Sequence, residues 1–279
     1  MPFFRHEGHR LAYTGFGEGE RTCVLVHGLL LSQKMHRPLA RELAARGNRV
    51  VTLDLLGHGR SDRPRDMSQY SMTIFAEQIV ALLDHLEVGE AVIGGTSLGA
   101  NATLETAVLA PERVRGMLVE MPVLDNALLA CALAFTPLLV SLTFGEPVMR
   151  AVARAARVLP SGAAPLLADV LLDAVRQDPA PSASVLQGLF FGRIAPPKAR
   201  RRQIEAPALV IGHGRDPVHP FSDSDALVEE LPDARLLRAD SILEMRTSPE
   251  RLTNEVADFL DLCWGPLRRS GDAGRRRVA

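Results

Sequence analysis

Short, uniformly apolar runs alternate with helical patterns along most of this chain, and that alternation constrains its fold more than any other feature. TCVLVHG (Thr22–Gly28), RVVTLDL (Arg49–Leu55), EAVIGGTS (Glu90–Ser97), GMLVEMP (Gly116–Pro122), ALVIGHG (Ala208–Gly214) and ARLLRAD (Ala234–Asp240) read as strands. Strands apolar at every position are covered on both faces, as in a parallel sheet. Between them lie HRPLARELAARG, TIFAEQIVALLDHLE, GANATLETAVLA, SDALVEELP and PERLTNEVADFLDLCW. In the last of these, Leu252, Val256, Phe259 and Leu260 fall on one helical stripe. This pattern predicts an α/β fold with right-handed crossovers. The opening FFRHEGHRLAYTGFGEGE predicts an antiparallel hairpin with a Gly-rich turn.

The alternation breaks once. From about Val123 to Ile204 there is no strand signal, only apolar helical segments cut by prolines such as Pro137, Pro147, Pro160 and Pro165. We therefore expect residues 1–122 and 205–264 to form the core, 123–204 to form a helical lid, and the Arg-rich tail 265–279 to be disordered. Within the lid, NALLACALAFTPLLVSLTFG runs without a charge and is long enough to span a bilayer. Pro137, its Ser and Thr residues and its acidic flanks instead predict a buried or tunnel-lining segment, with a membrane-leaning surface as the competing reading. No integral membrane span is expected.

The N-terminal MPFFRHEGHR carries charge where a signal peptide needs an apolar run, so the expectation is a cytoplasmic protein. The three cysteines Cys23, Cys131 and Cys263 fit neither a metal site nor a disulfide framework. A formal net charge of -1 gives no reason to expect nucleic acid as a partner. No cofactor is implied, and the oligomeric state is not legible.

The chemistry centres on Gly95-Thr96-Ser97-Leu98-Gly99, which follows a strand and opens a helix. Small residues on both sides let the chain turn sharply and expose Ser97. The Leu98 amide then points from a helix N-terminus to where an oxyanion would form. The competing reading is a strand-to-helix turn that happens to hold a serine. At this point the chain resembles the α/β-hydrolase superfamily, in the branch with a helical cap, from Phe3 to Trp264. By that resemblance His27-Gly28 heads the oxyanion loop, Leu29 supplies a second amide, and His27 is structural. DLLGHGRSDRP (Asp54–Pro64) is similar to an architectural loop of the family, which makes His58 and Ser61 loop-shaping residues. GHGRDPVHP (Gly212–Pro220) is similar to the loop that carries the triad acid, here Asp216.

The resemblance also implies a histidine after the last strand, about seven residues before Pro249. Ile242 stands there, and no histidine follows His219. Several residues compete to be the base for Ser97. His219 is three residues beyond Asp216, and an imidazole has suitable basicity near neutral pH. Against this, it is equally a loop histidine packed beside Pro220. Glu244 is a carboxylate base or the partner of an arginine such as Arg246. His36 projects into the pocket or sits at its helix N-terminus. Asp125 is an alternative acid or a linker residue. The last possibility is that there is no base.

The favoured function is a serine-dependent hydrolase of a small or medium apolar ester, thioester or lactone. The alternatives are a ligand-binding pseudoenzyme of the same fold, or a non-hydrolytic lyase, isomerase or acyltransferase. Epoxide hydrolase and haloalkane dehalogenase readings fit poorly, because those families carry an Asp where this chain has Ser97.

Overall fold

The computed structural model describes residues 2–160, 166–214 and 216–265. Most of the 265–279 tail therefore lies outside the described residues, as does Pro165. The core contains β1 (Phe3–His6), β2 (His9–Phe16), β3 (Thr22–Val26), α1 (Arg37–Ala45), β4 (Arg49–Leu53), α2 (Met72–His85), β5 (Ala91–Thr96), α3 (Leu98–Leu109) and β6 (Val114–Glu120). An insert follows, comprising α4 (Leu128–Phe144), α5 (Glu146–Val158), α6 (Leu166–Val175), α7 (Pro179–Phe191) and α8 (Lys198–Arg201). The core then resumes with β7 (Ala208–His213), α9 (Phe221–Glu230), β8 (Ala234–Ala239), α10 (Glu244–Thr247) and α11 (Glu250–Trp264). Among the described residues, no strand lies between β6 and β7.

The eight strands form one sheet in the order β1-β2-β4-β3-β5-β6-β7-β8. β1 and β2, and β2 and β4, pair antiparallel; the remaining neighbours are parallel. The tight turn between β1 and β2 is Glu7-Gly8, both at positive φ. The Gly-rich GFGEGE stretch leads from β2 to β3.

Strand periodicity splits the core in two. Val24 and Val26, Val51 and Leu53, and Ile93 pack with Phe75 and Ile79 of α2. Cys23 and Leu25, Val50, and Val92 pack with Leu43 of α1 and Val256 and Phe259 of α11. Both faces of β3 to β7 are thus covered, and each fully buried aliphatic side chain contributes about 1.5–3 kcal/mol. β8 departs from the expectation of a strand buried on both faces: at the sheet edge, only Ala239 of its six residues is buried.

The apolar run in the insert also departs from expectation. Pro137 does not end it, because α4 continues through to Phe144. Pro137 lies on the solvent side, where water can satisfy the carbonyl that loses its amide partner. The segment Asp125–Phe144 is long and apolar enough to cross a membrane, yet only 11% of its most apolar window is buried. The expected burial is confined to one edge, where Leu142, Leu138 and Leu139 pack with Ala183 and Leu186 of α7.

Candidate active site

Ser97 sits at the carboxyl end of β5, in the middle of the sheet, with φ 55° and ψ −108°. Its amide donates to the carbonyl of Glu120 on β6 at 2.9 Å, and its carbonyl accepts from Asn101 at 3.0 Å. The turn is feasible only because its neighbours lack side chains. A Cβ on Gly99 would lie 2.1 Å from the Val26 carbonyl oxygen, and one on Gly95 would lie 2.5 Å from the Gly99 backbone. A side chain held at this φ stores strain, which is common where a reactive group must stand clear of its element.

The loop after β7, two strands away from β5, turns back over this point. Asp216 Oδ1 accepts from the Val218 amide at 2.8 Å and the His219 amide at 3.0 Å. Its Oδ2 lies 2.8 Å from His219 Nδ1, and His219 Nε2 lies 2.9 Å from Ser97 Oγ. Burial pushes the Asp216 carboxyl up, but hydrogen bonds from His219 and Val218 outweigh it and hold the group below its ordinary value. A carboxylate only accepts, so the imidazole proton sits on Nδ1 and leaves the Nε2 lone pair toward the hydroxyl.

Above Ser97 lies a pocket of about 570 Å³ whose walls are mostly apolar, with Leu29, Leu98, Leu128, Phe135, Leu186 and Leu189 prominent. The pocket lies between the core and the insert. Leu98, expected from its place at the helix start to offer an amide to an oxyanion, and Leu29, to which the resemblance assigns the second amide, both line it. Cys131 also borders it; burial pushes its thiol up to about 11, so it stays protonated at neutral pH and does not compete with Ser97.

The other candidates lie elsewhere. His36 does not project into the pocket. It is buried, with Nε2 donating to the Val26 carbonyl at 3.0 Å, because the short 3-10 helix Gln33–His36 turns it under the sheet end. Glu244 accepts from Arg251 at 2.9 Å rather than from Arg246. Burial raises its carboxyl, but the Arg251 hydrogen bond and the Asp240 amide lower it further, which makes it a poor base. Ile242 occupies a turn and is 40% exposed. Asp125, exposed at the start of the 3-10 helix before α4, is at the pocket wall but not bonded to His219.

His27 and His58 are structural. His27 Nδ1 donates to the Gly28 carbonyl at 2.8 Å and Nε2 accepts from Leu55 at 3.1 Å, while its ring lies 4.7 Å from that of His58. Ser61 Oγ donates to the Asp54 carbonyl at 2.5 Å and accepts from Ala12 at 2.9 Å.

Several positioning residues had no sequence signal. Arg246 Nη2 donates to Glu120 Oε2 at 2.8 Å and to Thr96 Oγ1 at 3.0 Å, directly behind Ser97. Burial raises the Glu120 carboxyl, but Arg246, His213 and Thr96 outweigh it and keep it ionised. Asp223 accepts from the amides of Leu124, Asn126 and Ala127 at 2.7–3.1 Å, which ties the start of the insert to α9. The Asn101 side chain bonds Val123 through both its amide and its carbonyl, and also bonds the Ile194 carbonyl. Each joins residues more than 20 positions apart, so only an alignment of relatives could have suggested them.

A mostly parallel sheet with a serine at a sharp strand-to-helix turn, and a pocket where the strands end, is the architecture of the α/β-hydrolase fold. The sequence profile of the alpha/beta hydrolase fold family matches residues 22–144 of this chain. It is 38% identical over 104 residues to the dihydrolipoyllysine-residue acetyltransferase component of the acetoin cleaving system of Pseudomonas putida. That match covers 36% of this chain and 26% of the relative, and a match to bifunctional epoxide hydrolase 2 of Sus scrofa covers 20% of that protein. The chain thus spans about a quarter or less of the length of these relatives. A haloalkane dehalogenase of Mycolicibacterium paratuberculosis is 29% identical over 230 residues, covering 76% of this chain and 72% of that protein. Among solved structures, the enol-lactonase of Burkholderia xenovorans superposes with a TM-score of 0.74 at 23% identity, covering 93% and 99% of the two chains. At that identity the likeness is one of fold.

Proposed function

We propose that this chain is a serine-dependent hydrolase of a small or medium apolar ester, thioester or lactone. The observation that carries the proposal is the run of short contacts from Asp216 through His219 to Ser97 Oγ on the floor of an apolar pocket. As Ser97 Oγ attacks the acyl carbon, its proton passes to His219 Nε2, and the imidazolium formed is balanced by Asp216. The Leu29 and Leu98 amides receive the oxyanion. His219 then returns the proton to the leaving oxygen or sulfur, so one group serves as base and acid. Water hydrolyses the acyl-serine by the same route in reverse. The insert acts as the cap that shapes the acyl site and keeps bulk water away.

This triad retains the chain order nucleophile, acid, histidine, with the histidine moved onto the loop of the acid. A serine rather than an aspartate at the elbow keeps the reading with acyl hydrolases, despite the likeness to a haloalkane dehalogenase. The decisive measurement is steady-state hydrolysis of p-nitrophenyl esters of increasing acyl length, with fluorophosphonate labelling. His219→Ala should reduce kcat by about 10²–10⁴-fold, and Ser97→Ala should abolish labelling. Labelling that survives Ser97→Ala, or an unchanged rate in His219→Ala, would overturn the mechanism.

A further inference from the structure

The outer face of α4 leaves a large apolar surface in solvent that neither the pocket nor the core uses. Leu129, Leu133 and Phe144 are 71%, 70% and 83% exposed, and across Gly145 the surface carries on to Val148 at 68%. Isolated exposed apolar side chains are ordinary; a row of them along one helix face is not. α4 contains no ionisable side chain other than Cys131, which faces the pocket. The hydroxyl of Ser141 is satisfied within the helix by the Pro137 carbonyl at 2.8 Å. Its outer face therefore enters an apolar medium without stripping water from a charge.

The border of this surface is basic. At roughly 100° per residue, Val148, Ala151, Val152 and Ala155 of α5 form one exposed stripe flanked by Arg154, while Arg150, paired with Glu146, and Arg157, which donates to the Arg176 carbonyl, lie further round the helix. Arg154 has no ion-pair partner among the described residues, whereas the insert's carboxylates at Glu146, Asp169, Asp173 and Asp178 are already engaged by Arg150, Lys34, Arg176 and Arg65. A second copy would bring the same Arg154, and among the described residues of the insert Asp125 is the one carboxylate without an ion pair to face it. An anionic lipid surface supplies both an apolar interior and the complementary charge.

We propose that α4 and α5 dock the protein on the surface of an anionic bilayer, with α4 lying in the interface rather than crossing it. Crossing is excluded by the inner edge of α4, where Leu138, Leu139 and Leu142 pack on α7. That same inner edge lines the pocket through Leu128, Cys131, Ala132 and Phe135, so the docked helix stands between the bilayer and Ser97. The proposal goes beyond the hydrolase reading, and its test does not require activity.

The experiment is flotation of the full chain with vesicles of phosphatidylglycerol and phosphatidylcholine, and with phosphatidylcholine alone. Ser97→Ala is run beside the parent, and folding of every variant is checked by circular dichroism. The expected result is binding to the phosphatidylglycerol vesicles that weakens in high salt. The exposed double change Leu133→Glu with Phe144→Glu should weaken it by at least about 10-fold, and Arg154→Glu should weaken it on anionic vesicles by about 5-fold. Ser97→Ala should bind like the parent. No vesicle binding, equal binding to phosphatidylcholine alone, or binding unaltered by Leu133→Glu with Phe144→Glu would overturn the proposal. So would a dimer, detected by light scattering, that the same double change dissociates while no vesicle binding is seen.

Discussion

In the proposed mechanism the chemistry at Ser97 depends on which atom of His219 carries the proton, and the Asp216 carboxylate faces Nδ1. One carboxylate oxygen holds two loop amides and the other holds Nδ1, so the same residue fixes both the loop and the ring. Asp216→Asn keeps an acceptor for the loop amides but presents an amide NH₂ to the ring. The expected outcome is a folded protein whose kcat on an activated ester falls by about 10²–10⁴-fold, as when a triad histidine is left in the wrong tautomer or without a counter-charge. Ile242→His tests the opposite idea, that the usual family position must be refilled. Ile242 points to solvent and the Ser97 hydroxyl already faces His219 Nε2. The substitution should therefore leave kcat within about twofold, as for an ordinary surface change; a tenfold rise would mean that His219 is not the base.

At the scale of elements, the site is assembled by the loops that leave β3, β5 and β7, and by the attachment of the insert. Asp223 carries that attachment almost alone on the α9 side. Asp223→Ala leaves the amides of Leu124 and Asn126 without their acceptor and Ala127 with only its 3.3 Å bond to the Leu124 carbonyl, at a cost of about 1–3 kcal/mol for each unpaired group that water cannot reach. We expect a loss of about 2–4 kcal/mol in chemical denaturation. On p-nitrophenyl esters, KM should rise more than kcat falls, because the pocket wall loosens while His219 and Ser97 stay on the core. Equal effects on both would show that the insert also positions the triad.

Across the whole molecule, buried neutral histidines make the fold acid-sensitive. Burial, helped by the Arg246 charge, pushes His36 down to about 3, and burial also holds His27 and His58 below their ordinary value. Once unfolded, each regains an ordinary imidazole, which takes a proton below about pH 6.5. Between that pH and the folded value the unfolded chain binds more protons, so stability falls as pH falls. The slope is about 1.4 kcal/mol per pH unit for each such histidine. Stability is thus fully present above about pH 6.5 and is lost progressively below it, before most carboxylates titrate. Thermal unfolding measured from pH 7.5 to 5 should show Tm falling steadily. His36→Gln, which keeps a donor for the Val26 carbonyl, should flatten the decline; an unchanged slope would show that His36 is not held neutral.

Local pattern alone predicted the sheet, the elbow at Ser97 and the helical insert between β6 and β7, because strand alternation, glycine spacing and turn chemistry act over a few residues, while the acid loop at Asp216 came from the family resemblance of GHGRDPVHP. It named His219 as a candidate for the same reason: three residues from Asp216 is a local relation. It did not rank His219 against His36 and Glu244, since whether an imidazole meets a hydroxyl 122 positions away depends on how two loops converge above the sheet. Nor did it tell that α4 would keep most of its apolar face in solvent, because a charge-free helix reads alike whether protein, lipid or water covers it. Those outcomes belong to long-range packing, and only the folded structure decided them.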